Sequence, residues 1–280
     1  MKLIRRKAIS YVIGFALILG LSISAIAIVY AVVIPQIQLR QTEAFISDVT
    51  NTFKLLDSKI DSLLNQGENS TAIVALNIPS GIFKISPTSG YNVEILYQLS
   101  GAENRSIPPV SLGRLSYNIS YSGRLVGENE YRVLYGSKYH YVKSDSVERE
   151  NVQIIESQKG KEVIIGLKYR IILHVYERDV DGDGDNDYDI LFFLIRLTTE
   201  NGRNLSFLGN KKIVIKNAGT QVIDVIQENR TSTFYVTFYV KGWDSDQGSN
   251  FDEEITTISL GSDQILRITI LQANIVLGVQ

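Results

Sequence analysis

The sequence contains no cysteine, one methionine, one tryptophan, two histidines and five prolines in 280 residues. Without cysteine there is no disulfide framework, no thiolate metal site and no cysteine nucleophile. A chain that folds outside a cell under that restriction is held by packing, by metal ions or by assembly. His140 and His174 fall in different expected strands, and neither sits in a metal-ligand or triad pattern. No phosphate-binding loop or dinucleotide fingerprint occurs. The sequence therefore offers no catalytic constellation, and no enzyme is expected. The net charge of -2 also lacks the basic excess that nucleic acid requires. Few thermolabile residues and abundant isoleucine suit a thermophile.

Charge is absent altogether from Ala8 to Ile34. As a helix this run would span ~40 Å, more than the ~30 Å hydrocarbon core of a bilayer. Lys2, Arg5, Arg6 and Lys7 precede it, whereas Arg40, Glu43, Asp48 and Lys54 follow it and roughly cancel. The positive-inside rule then places the N-terminus in the cytoplasm and everything after Ile34 outside, on the cell surface. Three fates are open to the segment. It is a permanent anchor, or a signal peptide cut after Ala27 in Ala25-Ile26-Ala27, or a leader cut just ahead of the apolar run. A cut at Ala27 would leave Ile28, Val29, Val32, Val33 and Ile34 as an apolar stump.

The stretch RRKAISYVIGFALILGLSISAIAIVYAVVIP resembles the class III leader of archaeal type IV pilin-like proteins. The resemblance implies that a prepilin peptidase cuts between a basic and a small residue, here Lys7 and Ala8, and that the hydrophobic helix stays on the mature chain. Ser10 fits the third mature position. Val12 stands where bacterial pilins carry a glutamate, so the pattern departs from the bacterial one. The resemblance covers residues 1–66. It implies the membrane and, in a filament, other copies of the chain as partners.

Beyond the apolar run, Ile46, Val49, Phe53, Leu56, Ile60 and Leu63 recur at spacings of three and four, with charges between them. That is one apolar stripe on a continuing helix, packed on its own domain, on other subunits, or on both. Pro35 is expected to kink the helix, and Gln66-Gly67 to stop it.

After Gly67 the period changes to two. Phe234, Val236, Phe238 and Val240 alternate with polar neighbours, as do Leu266, Ile268 and Ile270. Similar strands fit residues 72–77, 92–98, 115–121, 131–136, 163–176, 188–198 and 212–217. Turn signals include Asn201-Gly202 and Asn217-Ala218-Gly219. The expected class is α+β: a long N-terminal membrane- or filament-type helix, then a mostly antiparallel β-sandwich ectodomain. The polar stretch 145–162 suggests a boundary, giving a leader at 1–7, the helix at 8–66, a β domain at 67–150 and a second β-sandwich region at 151–280. Eight tyrosines between Tyr91 and Tyr141 fit half-exposed strand faces, or a contact surface.

One motif carries chemistry. In RDVDGDGDNDYDILFFL, Asp179, Asp181, Asp183, Asp185 and Asp187 alternate with two glycines. Calcium takes six to eight hard oxygens on a tightly curved loop, and the stretch resembles dockerin- and integrin-type calcium loops. Ile190 stands where a bidentate acid is usual, with Asp189 as a substitute. The stretch from Asp244, with Asp246 and Asp252, is a poorer match. Sequons occur at Asn69, Asn104, Asn118, Asn204 and Asn229, all beyond the membrane segment, as glycosylation of an ectodomain requires. The expected protein is a pilin-like surface subunit; the alternative is a monomeric, membrane-anchored binding or accessory protein.

Overall fold

The computed structural model describes residues 2–280 other than 77–80, 89–90, 101–104, 122–124, 127–130, 145–149, 179–186, 230–232, 245–248 and 263. The chain divides into two compact units, Met1–Asp48 and Val49–Gln280. Helix α1 spans Lys2–Ile28 and helix α2 spans Ile34–Gln66, with a single π turn, Val29–Val33, between them. In that turn the Ile34 N–H bonds to the Val29 carbonyl, five residues back. Pro35 has no N–H, and its ring crowds the carbonyl four residues earlier. The chain answers that proline with a widened turn just ahead of it. From Ile13 to Gln66 the helix is long and apolar enough to cross a membrane or to serve as a signal sequence.

The strands follow α2. They are β1 Thr71–Leu76, β2 Ile82–Ser86, β3 Tyr91–Leu99, β4 Arg105–Ser106, β5 Val110–Ser111 and β6 Arg114–Ser120. Next come β7 Tyr131–Tyr135, β8 Tyr141–Lys143, β9 Val152–Lys159, β10 Glu162–Tyr169, β11 Ile171–Arg178 and β12 Asp187–Thr198. The last are β13 Leu205–Leu208, β14 Lys211–Asn229, β15 Phe234–Asp244, β16 Ser249–Leu260 and β17 Ile265–Val279. They form three sheets, ordered β1-β14-β17-β12-β11-β8, β13-β2-β6-β10-β9-β7, and β16-β15-β3-β4 with β5 also on β3. Pairing is antiparallel except for β8 with β11 and β12 with β17. The inner faces of the first and third sheets meet in one core, where Phe192, Leu194, Ile268 and Ile270 join Val93, Tyr97, Val236 and Phe238.

The expected boundary at 150/151 is overturned, because each sheet contains strands from both sides of it. Within the polar stretch that suggested a boundary, residues 152–159 form strand β9, buried over its first six residues. Its polar side chains are paired rather than solvated. Arg132 Nε donates to Glu156 at 2.9 Å, and Gln153 Nε2 donates to the Ser137 carbonyl at 2.5 Å. The expected strand 163–176 is two strands in different sheets, broken at Arg170. That residue is buried, and its Nη1 donates to the Glu150 carbonyl at 3.0 Å, which holds the crossover.

Asn217-Ala218-Gly219 is not a turn. It lies inside β14 at a register shift against β17. There the Asn217 side chain closes the end of α2, its Nδ2 donating to the carbonyls of Leu63 and Gly67 at 3.1 and 3.0 Å. Ser70 Oγ donates to the same two carbonyls. The last carbonyls of a helix have no partner within it, and here β14 and the segment leading into β1 supply one. Gly67 itself, with φ +90, ends the helix in the left-handed conformation that glycine adopts without strain.

Candidate functional site

Two stretches of helix carry apolar side chains of opposite fate. In the first unit Phe15, Leu17, Ile18, Leu21, Ile23 and Tyr30 are exposed, Leu21 at 71%. In the second unit Val49, Phe53, Leu56, Ile60 and Leu63 are all buried, none more than 2% exposed. The 3–4 spacing places these five on one face of α2. They pack on the second sheet, where Phe53 meets Phe83 of β2 edge-on, ring centroids 5.8 Å apart, and Phe83 continues to Phe207 at 5.0 Å. Each fully buried apolar side chain of this size is worth about 1.5–3 kcal/mol.

Polar groups flank the stripe. Tyr169 of β10 donates its hydroxyl to Asp57 Oδ1 at 2.9 Å, and Lys54 Nζ lies 4.2 Å from the centre of the Tyr135 ring. Burial pushes the Asp57 carboxyl up to about 7; the charge of Asp61 adds to the rise, and the Tyr169 hydrogen bond opposes it. Burial also raises Asp61. Both groups lie in the packed half of α2, well past Ile34, where the apolar run ends.

A second buried polar cluster joins the three sheets. The His140 N–H donates to Glu253 Oε2 at 2.9 Å, and its ring Nδ1 lies 2.8 Å from Glu253 Oε1. The imidazole stacks on Phe251 at 3.7 Å, and Lys168 Nζ lies 4.9 Å from the centre of the Tyr91 ring. Burial lowers the His140 pKa despite the Glu253 hydrogen bond, so the neutral ring donates Nδ1–H to the carboxylate. His174 lies apart from it, stacked with Tyr176 on β11. Of the clustered tyrosines, Tyr91, Tyr97 and Tyr117 are core residues and Tyr139 is exposed.

Lys7 and Ala8 lie within α1. Asp179, Asp181, Asp183 and Asp185 lie outside the described residues, between the antiparallel partners Arg178 and Asp187. Asp187 is buried, and its Oδ1 accepts from the Ile265 N–H at 2.6 Å. Asp189 ion-pairs with Arg178 and lies 3.7 Å from Arg267. Asp252 of the second acidic stretch pairs with Lys241 at 3.0 Å. Among the described residues no group of three or more histidines and acids is placed to hold a metal. Of the sequons, Asn69 and Asn204 are exposed, Asn118 is buried, Asn229 ends β14 and Asn104 lies outside the described residues. Sequence reasoning missed the roles of Asn217, Asp57, Glu253 and Arg170, whose partners are distant in the chain.

Residues 7–78 match the profile of a family of unknown function, DUF7289. That span takes in the apolar helix, its buried stripe and β1. No curated protein and no solved structure matches the chain.

The raised Asp57 pKa sets a pH dependence. The unfolded carboxyl ionises near its ordinary 3.8 and the folded one near 7, so this group's contribution favours folding at low pH and is lost as pH rises from about 4 to about 7. His140 acts in the opposite sense, its contribution being lost as pH falls below the ordinary 6.5. Asp57→Asn keeps an acceptor for Tyr169 and removes the charge. Thermal melts of the full chain in detergent should show the variant more stable than wild type at pH 8, by on the order of a few kcal/mol, and close to it at pH 4. Parallel pH profiles for the two proteins would exclude a buried Asp57 carboxyl.

Proposed function

We propose that the chain is a pilin-like surface subunit, exported through the membrane and using its hydrophobic N-terminal helix for anchoring or filament assembly. The observation that carries the reading is the contrast along the helix. The stripe from Val49 to Leu63 is satisfied inside its own β domain, whereas the apolar residues from Ile13 to Val33 are exposed and need lipid or other helices around them. Removing a leader at Lys7 fits this reading, because the four cations of residues 1–7 are costly in a dry helical core. The chain acts by assembly or binding, not catalysis. The one buried histidine cluster is packed on Phe251 and holds sheets together.

The test is electron microscopy of the cell-surface fraction with an antibody to the β domain, on wild type and on Leu21→Asp. A charge near the middle of a spanning helix costs about 2.5–3.5 kcal/mol on insertion. Wild type should label filaments. The variant should lose both filaments and membrane retention while the melting temperature of the β domain stays unchanged. Label on membranes without filaments would instead favour a monomeric anchored protein, and β domain found only in the cytoplasm would overturn both.

We also propose that the Asp179–Asp187 run binds calcium, as a structural tie between β11 and β12. The high acid density between two paired strands supports it, since repulsion among the carboxylates is relieved by a cation. A ligand that binds only the folded form adds ~2.7 kcal/mol at a hundredfold excess over its dissociation constant. Calcium should therefore raise the melting temperature, with magnesium doing much less. Replacing Asp181 and Asp183 with Asn should abolish the calcium effect and slightly stabilise the calcium-free chain. Calorimetry without heat at millimolar calcium would reduce the loop to an acidic hairpin connection.

A further inference from the structure

Past the core, the face of the first sheet that packs on the third sheet runs on into a groove of about 740 Å³. Its floor is laid out by the register. Thr71, Lys216 and Val276 stand side by side across β1, β14 and β17, and Val214 and Gly278 form the neighbouring row. Val214, Val276 and Gly278 make the floor largely apolar, with Lys216 and Glu200 also lining it, and Ile73 beside it on β1 is 58% exposed. Amides and hydroxyls of Thr199, Asn201 and Asn204 form one wall, with Arg203 beside them.

Two sequons flank this groove. Asn204-Leu205-Ser206 begins at its wall, where Asn204 is exposed and its side chain makes no hydrogen bond among the described residues. The loop that presents it is fixed. Thr199 Oγ1 donates to the Arg203 carbonyl at 2.8 Å, and the Gly202 N–H donates to the Thr199 carbonyl at 3.0 Å, with Gly202 at φ +63. Asn69-Ser70-Thr71 lies at the opposite side, and its Thr71 lines the groove. Asn69 is exposed, at φ 64, and held by its N–H bond to the Asn217 carbonyl at 2.8 Å. Four adjacent strands separate the two sequons, ~14 Å of sheet. Asn118 offers the contrast. It is buried in β6 between β2 and β10, and its Nδ2 donates to Glu162 Oε1 at 2.8 Å.

We propose that an N-linked oligosaccharide on Asn204, joined by one on Asn69, lies in this groove and covers its largely apolar floor, while Asn118 stays bare. Sugar rings present C–H faces to an apolar floor and hydroxyls to a polar wall, and this groove supplies both. The donor class is a lipid-phosphate-linked oligosaccharide. The Asn204 amide nitrogen attacks the anomeric carbon, the C–N bond forms, the anomeric C–O bond to phosphate breaks, the bonding pair leaves with the lipid phosphate, and one amide proton is lost to base. The inference rests on the surface location proposed above.

Protease shaving of intact native cells first establishes whether the β domain is outside. Glycopeptide mass spectrometry of the full chain purified from those cells should then show added saccharide mass at Asn204 and Asn69 and none at Asn118. Carbene footprinting should label Val214 and Val276 several-fold more strongly in Asn204→Gln and equally in Ser206→Ala, which breaks the sequon without touching Asn204. A shaved, external domain with bare Asn204 and Asn69 overturns the proposal and leaves the surface reading intact. A modified Asn204 with unchanged footprints overturns the groove assignment, as does a change in Asn204→Gln alone. A domain resistant to shaving overturns both.

Discussion

The α2 stripe on the second sheet is the interaction on which the rest of the structure depends. An isolated helix draws little stability from propensity alone, so its order comes from burying one face. Phe53, Leu56, Ile60 and Leu63 supply that face, and Phe83 of β2 receives it. The same contact shields the sheet, whose apolar residues would otherwise face water. Asn217 and Ser70 then fix where the helix ends, so that β1 enters the first sheet beside β14. Helix, second sheet and first sheet are thereby tied together without a disulfide.

Burying Asp57 in that interface carries an energetic cost, and the cost reports on the contact. The carboxyl sits at the margin of the stripe with Tyr169 as its hydrogen-bond donor and Asp61 as an unfavourable neighbour. An apolar residue there would pack without a pH-dependent penalty. The β sandwich formed by the first and third sheets has its own polar fastening, in which His140 and Glu253 join β16 to the segment entering β8.

Much of this was legible in the sequence because it was local. The 3–4 spacing from Val49 to Leu63 gave the buried face, Gly67 the helix end, and period-two alternation most strands. Pro35 announced an irregularity but not its form, since a kink and a π turn answer the same missing N–H. What failed was non-local. The polarity of Gln153 and Glu156 reads as a linker until Arg132 and Ser137 are seen to pair with them. The run 163–176 alternates without a break, so nothing in its pattern shows that Arg170 turns it from one sheet into another. Asn217 looks like a turn residue because asparagine favours turns, whereas here its amide is spent on a helix more than a hundred residues earlier. The calcium run remains a reading of composition, with only its end residue Asp187 and the neighbouring Asp189 placed.

The account requires the apolar and the docked stretches to remain one helix on the mature protein. N-terminal sequencing with intact-mass measurement of the chain from its native membrane or surface fraction tests this directly. The account predicts a mature chain beginning AISYVIG at Ala8, with the whole apolar run retained. A chain beginning at Ile28 would contradict it, because the exposed residues from Ile13 to Ala27 would then belong to a discarded signal peptide and not to the working protein.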